Sequence, residues 1–247
     1  GQGTLTGIQQ VIAETLGVRF DAVYTESGDG GTTPYGGGSW ASRGLAIGGE
    51  AARLASLDLR KKILGVAAAI SQVSPEKLSM VAGEIFKDGK SLMDLAELAQ
   101  IVHFRQYTLP QDLDFEMNVT RHFLPRSFPY FMANGIQASY LEVDLGTGSI
   151  KLLDHWIVGD CGTVVNPMLV DEQLRGGIVQ GLGAALYEQA IYDNSGQLLT
   201  ATLADYAVPL ASEMPDIHVA HLQSIAPGTG LGAKGTGEAG TLGSPAA

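Results

Sequence analysis

The chain has 247 residues, of which 45% are hydrophobic and 17% are charged, and its formal net charge at pH 7 is −11. These values describe one large globular domain or two small ones, and they exclude a disordered or fibrous protein. The acidic balance argues against a nucleic-acid partner, and no apolar run is long enough to span a membrane. A single cysteine, Cys161, excludes an internal disulfide and favours a reducing, cytoplasmic location.

The chain begins with GQGTLTG, which has no initiator methionine and lacks the basic-then-apolar pattern of a signal peptide. We therefore expect it to be a processed subunit or part of a longer protein.

Helices dominate the first half of the chain. Apolar residues at helical spacing predict a first helix capped by Thr4 or Thr6. Residues 18–26 alternate as a strand does, and residues 27–44 form a long glycine-rich loop. A second helix is predicted over 52–70, where apolar residues share one face.

Shorter elements follow the second helix. Residues 74–76, with Pro75 at the first helical position, predict the start of a short helix. Residues 77–86 read as one strand that ends in a turn over 87–90. Ser91 and Asp94 form a capping pair for a third helix.

From about residue 112 the composition becomes typical of β-strands. Residues 115–123 and 135–145 are predicted strands, and the turn GTGS at 146–149 joins the second of these to a strand over 150–160 as a hairpin. A helix is predicted over 168–191. We expect an α+β fold with mixed sheets and packed helices, which forms one domain over 1–247 or two lobes with a soft boundary near 110.

The helix predicted from residue 168 contains four glycines: Gly176, Gly177, Gly181 and Gly183. Each costs about 1 kcal/mol relative to alanine in a helix interior, so together they cost about 4 kcal/mol. Two explanations are open. Either the helix packs very closely on a neighbouring element, or a ligand lies against its bare backbone and is reached by Gln173.

Two glycine-rich loops are candidate binding segments. In TPYGGGSWASRG, backbone N–H groups and the hydroxyls of Ser39 and Ser42 precede a helix, an arrangement that suits a phosphate but also occurs in ordinary surface loops. In LGAKGTGEAG, the carboxylate of Glu238 is either a general base held in a cleft or a structural turn residue. Cys161 is more typical of a buried thiol than of a metal ligand or nucleophile, and the histidines form no ligand array.

Four stretches, in this order, resemble the molybdenum hydroxylase family, which comprises xanthine dehydrogenase, aldehyde oxidase and aerobic carbon monoxide dehydrogenase. They are GQGT at 1–4, GGGSWASRG at 36–44, DCGTVVNPMLVDEQLRGGIVQGLG at 160–183 and GAKGTGEAG at 232–240. The resemblance covers essentially the whole chain and implies the C-terminal part of the molybdopterin-binding large subunit.

The resemblance implies a molybdopterin cofactor, as the cytosine dinucleotide, whose dithiolene holds the molybdenum without protein ligands. It further implies [2Fe-2S] clusters and FAD on partner subunits, and three protein partners: the rest of the large subunit, an iron–sulfur subunit and an FAD subunit. The substrate would be a small molecule. Cys161 would form a wall beside the cofactor.

By position, the resemblance assigns eleven residues to the cofactor: Gln2, Gly3, Gly38, Ser39, Ala41, Ser42, Cys161, Gln173, Lys234, Gly235 and Gly237. Glu238 matches the glutamate that acts as general base when water hydroxylates an electron-poor carbon of an N-heterocycle or aldehyde. The resemblance also allows carbon monoxide oxidation at a molybdenum–copper site, whose signature cysteine loop lies outside this sequence. A non-catalytic cofactor-binding or assembly module is the third possibility.

Overall fold

A computed structural model describes residues 2–247, and by its contacts the chain divides into two units. The first unit consists of Gly3–Gly37 and Ile47–Leu124. The remaining residues, including the loop Gly38–Ala46 and the segment Pro125–Ala247, form the second unit. By contacts the division falls after Leu124, and the last part of the glycine-rich loop, from Gly38, belongs to the unit formed by the C-terminal half.

The first unit contains three helices and one antiparallel sheet with strand order β1-β2-β3. Buried side chains from α2, the sheet and α3 form its core, centred on Val66, Met80 and Ile85. The elements are α1 (Thr4–Leu16), α2 (Glu50–Ser71), β1 (Leu78–Val81), β2 (Glu84–Lys87), β3 (Lys90–Asp94) and α3 (Leu95–Phe104).

The three predicted helices of this unit are confirmed, but their caps differ in part from the prediction. Gly3, with φ of 72°, precedes α1 and no side chain caps that helix, so the predicted threonine cap is wrong. Asp94 caps α3 by accepting from the N–H of Glu97, as expected, whereas Ser91 lies within β3. The helix predicted from residue 74 is a single 3-10 turn, Pro75–Lys77.

Three strand predictions in this unit are wrong. Residues 18–26 contain a 3-10 turn, Phe20–Ala22, and no strand. Residues 77–86 form two strands because Ala82 and Gly83 both adopt positive φ angles, which reverse the chain between β1 and β2. Residues 115–123 include no strand; in that region Phe115 and Met117 pack on the core without a partner strand among residues 2–247.

The second unit is a mixed three-stranded sheet covered by a helix. The predicted hairpin is confirmed as β4 (Asn134–Val143) and β5 (Ile150–Asp160), and β6 (Ile217–Leu222) pairs with β5 in parallel. The long helix α4 (Pro167–Leu186) lies between β5 and β6 in the sequence, as a parallel pair requires, and ends before the predicted residue 191. A short helix, α5 (Ala239–Gly243), follows Glu238. The α+β class with mixed sheets and packed helices is therefore confirmed.

Close packing accounts for most of the glycines in α4. A Cβ atom at Gly181 of α4 would lie 2.7 Å from the carbonyl oxygen of Thr241. On the facing helix α5, a Cβ atom at Gly240 would lie 2.6 Å from the carbonyl oxygen of Leu174. Gly177 and Gly183 also have neighbours within 3.2 Å of a Cβ position. Gly176 differs, because nothing in residues 2–247 lies within 4 Å of the corresponding point.

No helix within residues 2–247 combines the length and the apolar character needed to cross a membrane.

Candidate functional site

Ser42 and Glu238 meet in the second unit, although they lie far apart in the sequence. The hydroxyl of Ser42 donates to Oε2 of Glu238 at 3.0 Å and accepts from the backbone N–H of Glu238 at 3.1 Å. One serine thus fixes both the carboxylate and the backbone of the predicted base. Within residues 2–247, no cation forms an ion pair with Glu238, so its charge remains available.

The loop that carries Ser42 has a strained backbone. Ala41 and Ser42 have φ angles of 49° and 54°, in the left-handed region that residues with a side chain seldom adopt. Arg43 holds the loop closed: its guanidinium donates to the carbonyl oxygens of Gly38 and Pro129, both at 3.0 Å, and lies 4.3 Å from the ring centre of Trp40. Arg43 was not singled out from the sequence.

The glycines around Glu238 make room for the chain itself. A Cβ atom at Gly235 would lie 2.9 Å from Cβ of Ser42, and one at Gly237 would lie 2.9 Å from its hydroxyl. The amide of Gln173, on α4, is 3.4 Å from the Cβ position of Gly237. The bare backbone at these two glycines therefore allows the two loops to pack on each other, and the structure brings Gln173 to the same place.

The side chain of Lys234 anchors the glutamate loop to Asp160 and Ser224. Its ammonium donates to Oδ2 of Asp160 at 3.0 Å and to the hydroxyl of Ser224 at 2.6 Å, and its side chain is only 8% exposed. Burial of Asp160 opposes its ionisation, but hydrogen bonds from Ser224, the N–H of Gly162 and Lys234 outweigh burial and hold its pKa far below the usual value. The ammonium of Lys234 is thus engaged within the chain, and a direct contact of this group with a cofactor remains only a prediction.

Cys161 is buried, and burial raises the pKa of its thiol. Its carbonyl oxygen accepts from the N–H of Lys234 at 2.7 Å, which ties the end of β5 to the glutamate loop. Gly162 and Gly232, both with positive φ, meet at the same point, where the N–H of Thr163 donates to Gly232 at 3.1 Å. The thiol itself is placed for packing.

Four predicted cofactor residues lie outside the cluster just described. Gln2 is exposed and precedes α1, and Gly3 belongs to the first unit. Ser39 is exposed on the glycine-rich loop. Gly38, with φ of 74°, has nothing within 4 Å of a Cβ position among residues 2–247, so there is open space beside its Cα, while its carbonyl oxygen accepts from Arg43.

A partly buried polar network behind Glu238 was not predicted. Gln137 and Ser139 of β4 both bind His155 of β5, which is fully buried, and Gln137 also contacts α5. A sequence signal existed, since Gln137 and Ser139 are polar residues at alternate positions of a strand, but their common partner could not be read from the sequence.

The polar groups here suit an organic ligand. They comprise the Gln173 amide, which can donate, the carboxylate of Glu238, which can accept, and, outside the cluster, the open space beside Gly38. In the part of the chain that the structure describes, no three His, Cys, Asp or Glu side chains come together as ligands for a metal ion. The residues present therefore fit an organic cofactor that approaches main chain, with any metal held by that cofactor.

Comparison with known proteins identifies the family of the chain. Residues 1–215 match the molybdopterin cofactor-binding domain family, and the chain belongs to that family. It thereby carries the molybdopterin-binding domain of the molybdenum hydroxylases, as the four sequence motifs indicated.

Relatives with known activities are similar over the whole chain. The chain is 33% identical to the nicotine 6-hydroxylase large subunit of Paenarthrobacter nicotinovorans and 31% identical to the carbon monoxide dehydrogenase large chain of Hydrogenophaga pseudoflava. These alignments cover 100% and 99% of the chain, respectively, and 30% of each relative.

A solved structure gives the same result. The crystal structure of quinoline 2-oxidoreductase from Pseudomonas putida 86 superposes with a TM-score of 0.89 and 34% identity, over 100% of this chain and 31% of that chain. The sequence thus spans less than a third of the length of these relatives.

Proposed function

We propose that this chain is the cofactor-binding, base-supplying part of a molybdenum-dependent oxidoreductase. The reaction is the hydroxylation, by water, of an electron-poor carbon in an N-heterocycle or an aldehyde. The proposal rests on one observation: in a chain of the molybdopterin-binding family, a glutamate with no ion-pair partner among residues 2–247 is fixed by Ser42, on a loop that has open space beside Gly38.

The overall reaction replaces a C–H bond with a C–OH bond and releases two electrons and two protons. When bound, the molybdenum cofactor would supply the oxygen-donating and two-electron-accepting chemistry. Glu238 takes one of the two protons, and the other is released to solvent. We assign this role to Oε1, since Oε2 already accepts from Ser42. The fixed hydroxyl of Ser42 orients the carboxylate, as a general base requires.

The remaining contacts of the cofactor belong to the same proposal. Gly38, Ser39 and Ala41 present backbone and hydroxyl groups to the pterin or its phosphates, and Gln173 donates its amide. Gln2 and Gly3 take part as the other predicted loop. Lys234, Gly235 and Gly237 shape the glutamate loop, and Cys161 lines the wall behind it.

The assembly belongs to the proposal as well. We propose a cytosine dinucleotide form of the cofactor and a complex with the rest of the large subunit, an iron–sulfur subunit and an FAD subunit. The [2Fe-2S] clusters and FAD on those partners would accept the electrons from the site. The names of the relatives support such an assembly, since they describe a large subunit, a large chain and a subunit of a dehydrogenase complex.

The test is Glu238→Gln in the complete enzyme, assayed with quinoline, an aromatic aldehyde and carbon monoxide as separate substrates. We expect unchanged molybdenum and pterin content and at least a ~100-fold loss of kcat, because the general base is lost. Glu142→Gln, an exposed glutamate of β4, is the matched control and retains activity.

Three results would count against the proposal. Normal turnover by the Glu238 variant would remove this residue from the mechanism. Turnover with carbon monoxide alone would favour the carbon monoxide alternative. Bound cofactor without any turnover in the complete wild-type assembly would favour a non-catalytic module.

A further inference from the structure

The amide of Gln137 lies at the centre of the partly buried network behind Glu238. Its nitrogen donates to the carbonyl oxygens of Ala239 and Gly240, both at 3.0 Å. Its oxygen accepts from Nε2 of His155 at 3.0 Å and from the hydroxyl of Ser244 at 2.9 Å. All four hydrogen-bonding positions of this amide are therefore used, which fixes its orientation.

His155 anchors the network to the sheet. It has no exposed surface, and burial lowers its pKa, which favours the neutral ring. With Nε2 donating to Gln137, Nδ1 accepts from the hydroxyl of Ser139, 2.9 Å away on the opposite strand. The chain of bonds thus runs from β4 and β5, through one glutamine, to the first two residues of α5.

Those two residues directly follow Glu238. The backbone N–H of Glu238 is held by Ser42, and its carbonyl oxygen accepts from Leu242 within α5 at 3.1 Å. The position of the glutamate thus depends on Ser42 on one side and on the placement of α5 on the other. At Gly240, a Cβ atom would lie 2.8 Å from the N–H nitrogen of Ile178, so α5 packs closely on α4, and the hydroxyl of Thr241 donates to the carbonyl oxygen of Gly177 at 2.9 Å.

We infer that Gln137 is a positioning residue for Glu238: it fixes the start of α5 and thereby the direction of the carboxylate. This inference rests on the proposed function, because it concerns the base of that reaction. Gln137 itself touches neither Glu238 nor, by this inference, the substrate, and it acts only through the carbonyl groups of Ala239 and Gly240.

The test uses the complete enzyme with Gln137→Met, which keeps the length of the side chain and removes all four hydrogen bonds. Gln137→Glu is the second variant, since it keeps size and an acceptor but removes the two donors to α5. The control is Gln180→Met, because Gln180 accepts a long hydrogen bond from the side chain of Thr241, at 3.4 Å, and none from the backbone of α5 within residues 2–247. Turnover is measured with quinoline or whichever substrate class the wild-type enzyme oxidises, and amide hydrogen exchange is measured in parallel.

We expect both Gln137 variants to lower kcat by about tenfold or more, because a misplaced base loses its geometry, while KM and cofactor content stay unchanged. Amide exchange over residues 236–244 becomes faster, whereas exchange in β5 and β6 does not change. The Gln180 variant behaves as the wild type in both measurements.

The inference is overturned if exchange over 236–244 is unaltered, or if it rises while kcat stays at the wild-type value. Loss of cofactor together with kcat would overturn it as well, because Gln137 would then support the pocket in general. These outcomes are separate from failure of the proposed function, which appears as normal turnover in Glu238→Gln.

Discussion

The hydroxyl of Ser42 forms two hydrogen bonds with Glu238, one to its carboxylate and one from its backbone N–H. This serine has a φ angle of 54°, which would suit glycine better. Backbone strain of this kind persists only where the surrounding structure imposes it. A serine at this strained position is therefore explained if its hydroxyl is needed to hold Glu238.

Ser42→Gly removes the hydroxyl and also relieves the strained backbone, whereas Ser42→Ala removes the hydroxyl alone. We expect both variants to lower kcat by roughly tenfold, since a hydrogen bond to a charged group contributes about 1.5–3 kcal/mol. Thermal unfolding should show the glycine variant to be more stable than the alanine variant. Steady-state kinetics on the complete enzyme checks the first expectation, and full activity in either variant would contradict it.

Two glycines of α4 should respond to alanine in opposite directions. Gly176→Ala gains about 1 kcal/mol of stability, because nothing lies within 4 Å of the new Cβ and alanine favours the helix. Gly181→Ala loses about 1–3 kcal/mol, since its Cβ would lie 2.7 Å from the carbonyl oxygen of Thr241. Chemical denaturation measures both changes. A destabilising Gly176→Ala would mean that another part of the complete protein, or a ligand, lies against this face.

The ion pair between Asp160 and Lys234 should make stability depend on acid pH. The folded-state pKa of Asp160 is far below its unfolded value of about 3.9, so its stabilising effect is fully present above that value. The effect is lost as the pH falls towards the lower, folded-state pKa. At pH 7, Asp160→Asn leaves a buried ammonium unpaired and should lower stability by about 3 kcal/mol.

Denaturation at several pH values checks this expectation: the difference between wild type and Asp160→Asn should shrink below about pH 4. The matched control is Asp21→Asn, whose partner Arg19 forms an ion pair on the surface, where the two side chains are 65% and 69% exposed. This control should have little effect at any pH, because water screens the pair. A constant difference for Asp160→Asn across the pH range would show that its charge is not responsible.

Helices and the hairpin could be predicted because their signals are local. Apolar periodicity located α1 and α2, and the turn at 146–149 located β4 and β5. Strand composition alone misled at 18–26 and 115–123, since a strand also requires a partner. Apolar and polar residues do alternate around Phe115, but the apolar ones pack on the core without forming a strand.

Individual residues of the candidate site were predicted, but the contacts between them were not. Glu238, Ser42 and Gln173 were each named from motifs, yet nothing in the sequence indicated that Ser42 binds the glutamate. The glycines at 235 and 237 were expected to face a ligand, whereas they receive the loop of Ser42. Such contacts arise from tertiary packing between distant segments, which a single sequence does not record.

Ser42 and Glu238 are separated by 196 positions in the chain. During synthesis the serine loop therefore leaves the ribosome long before its acidic partner exists. A chain that ends before Glu238 cannot form this pair, so only a polypeptide that extends through the glutamate loop can present the finished arrangement to a ligand.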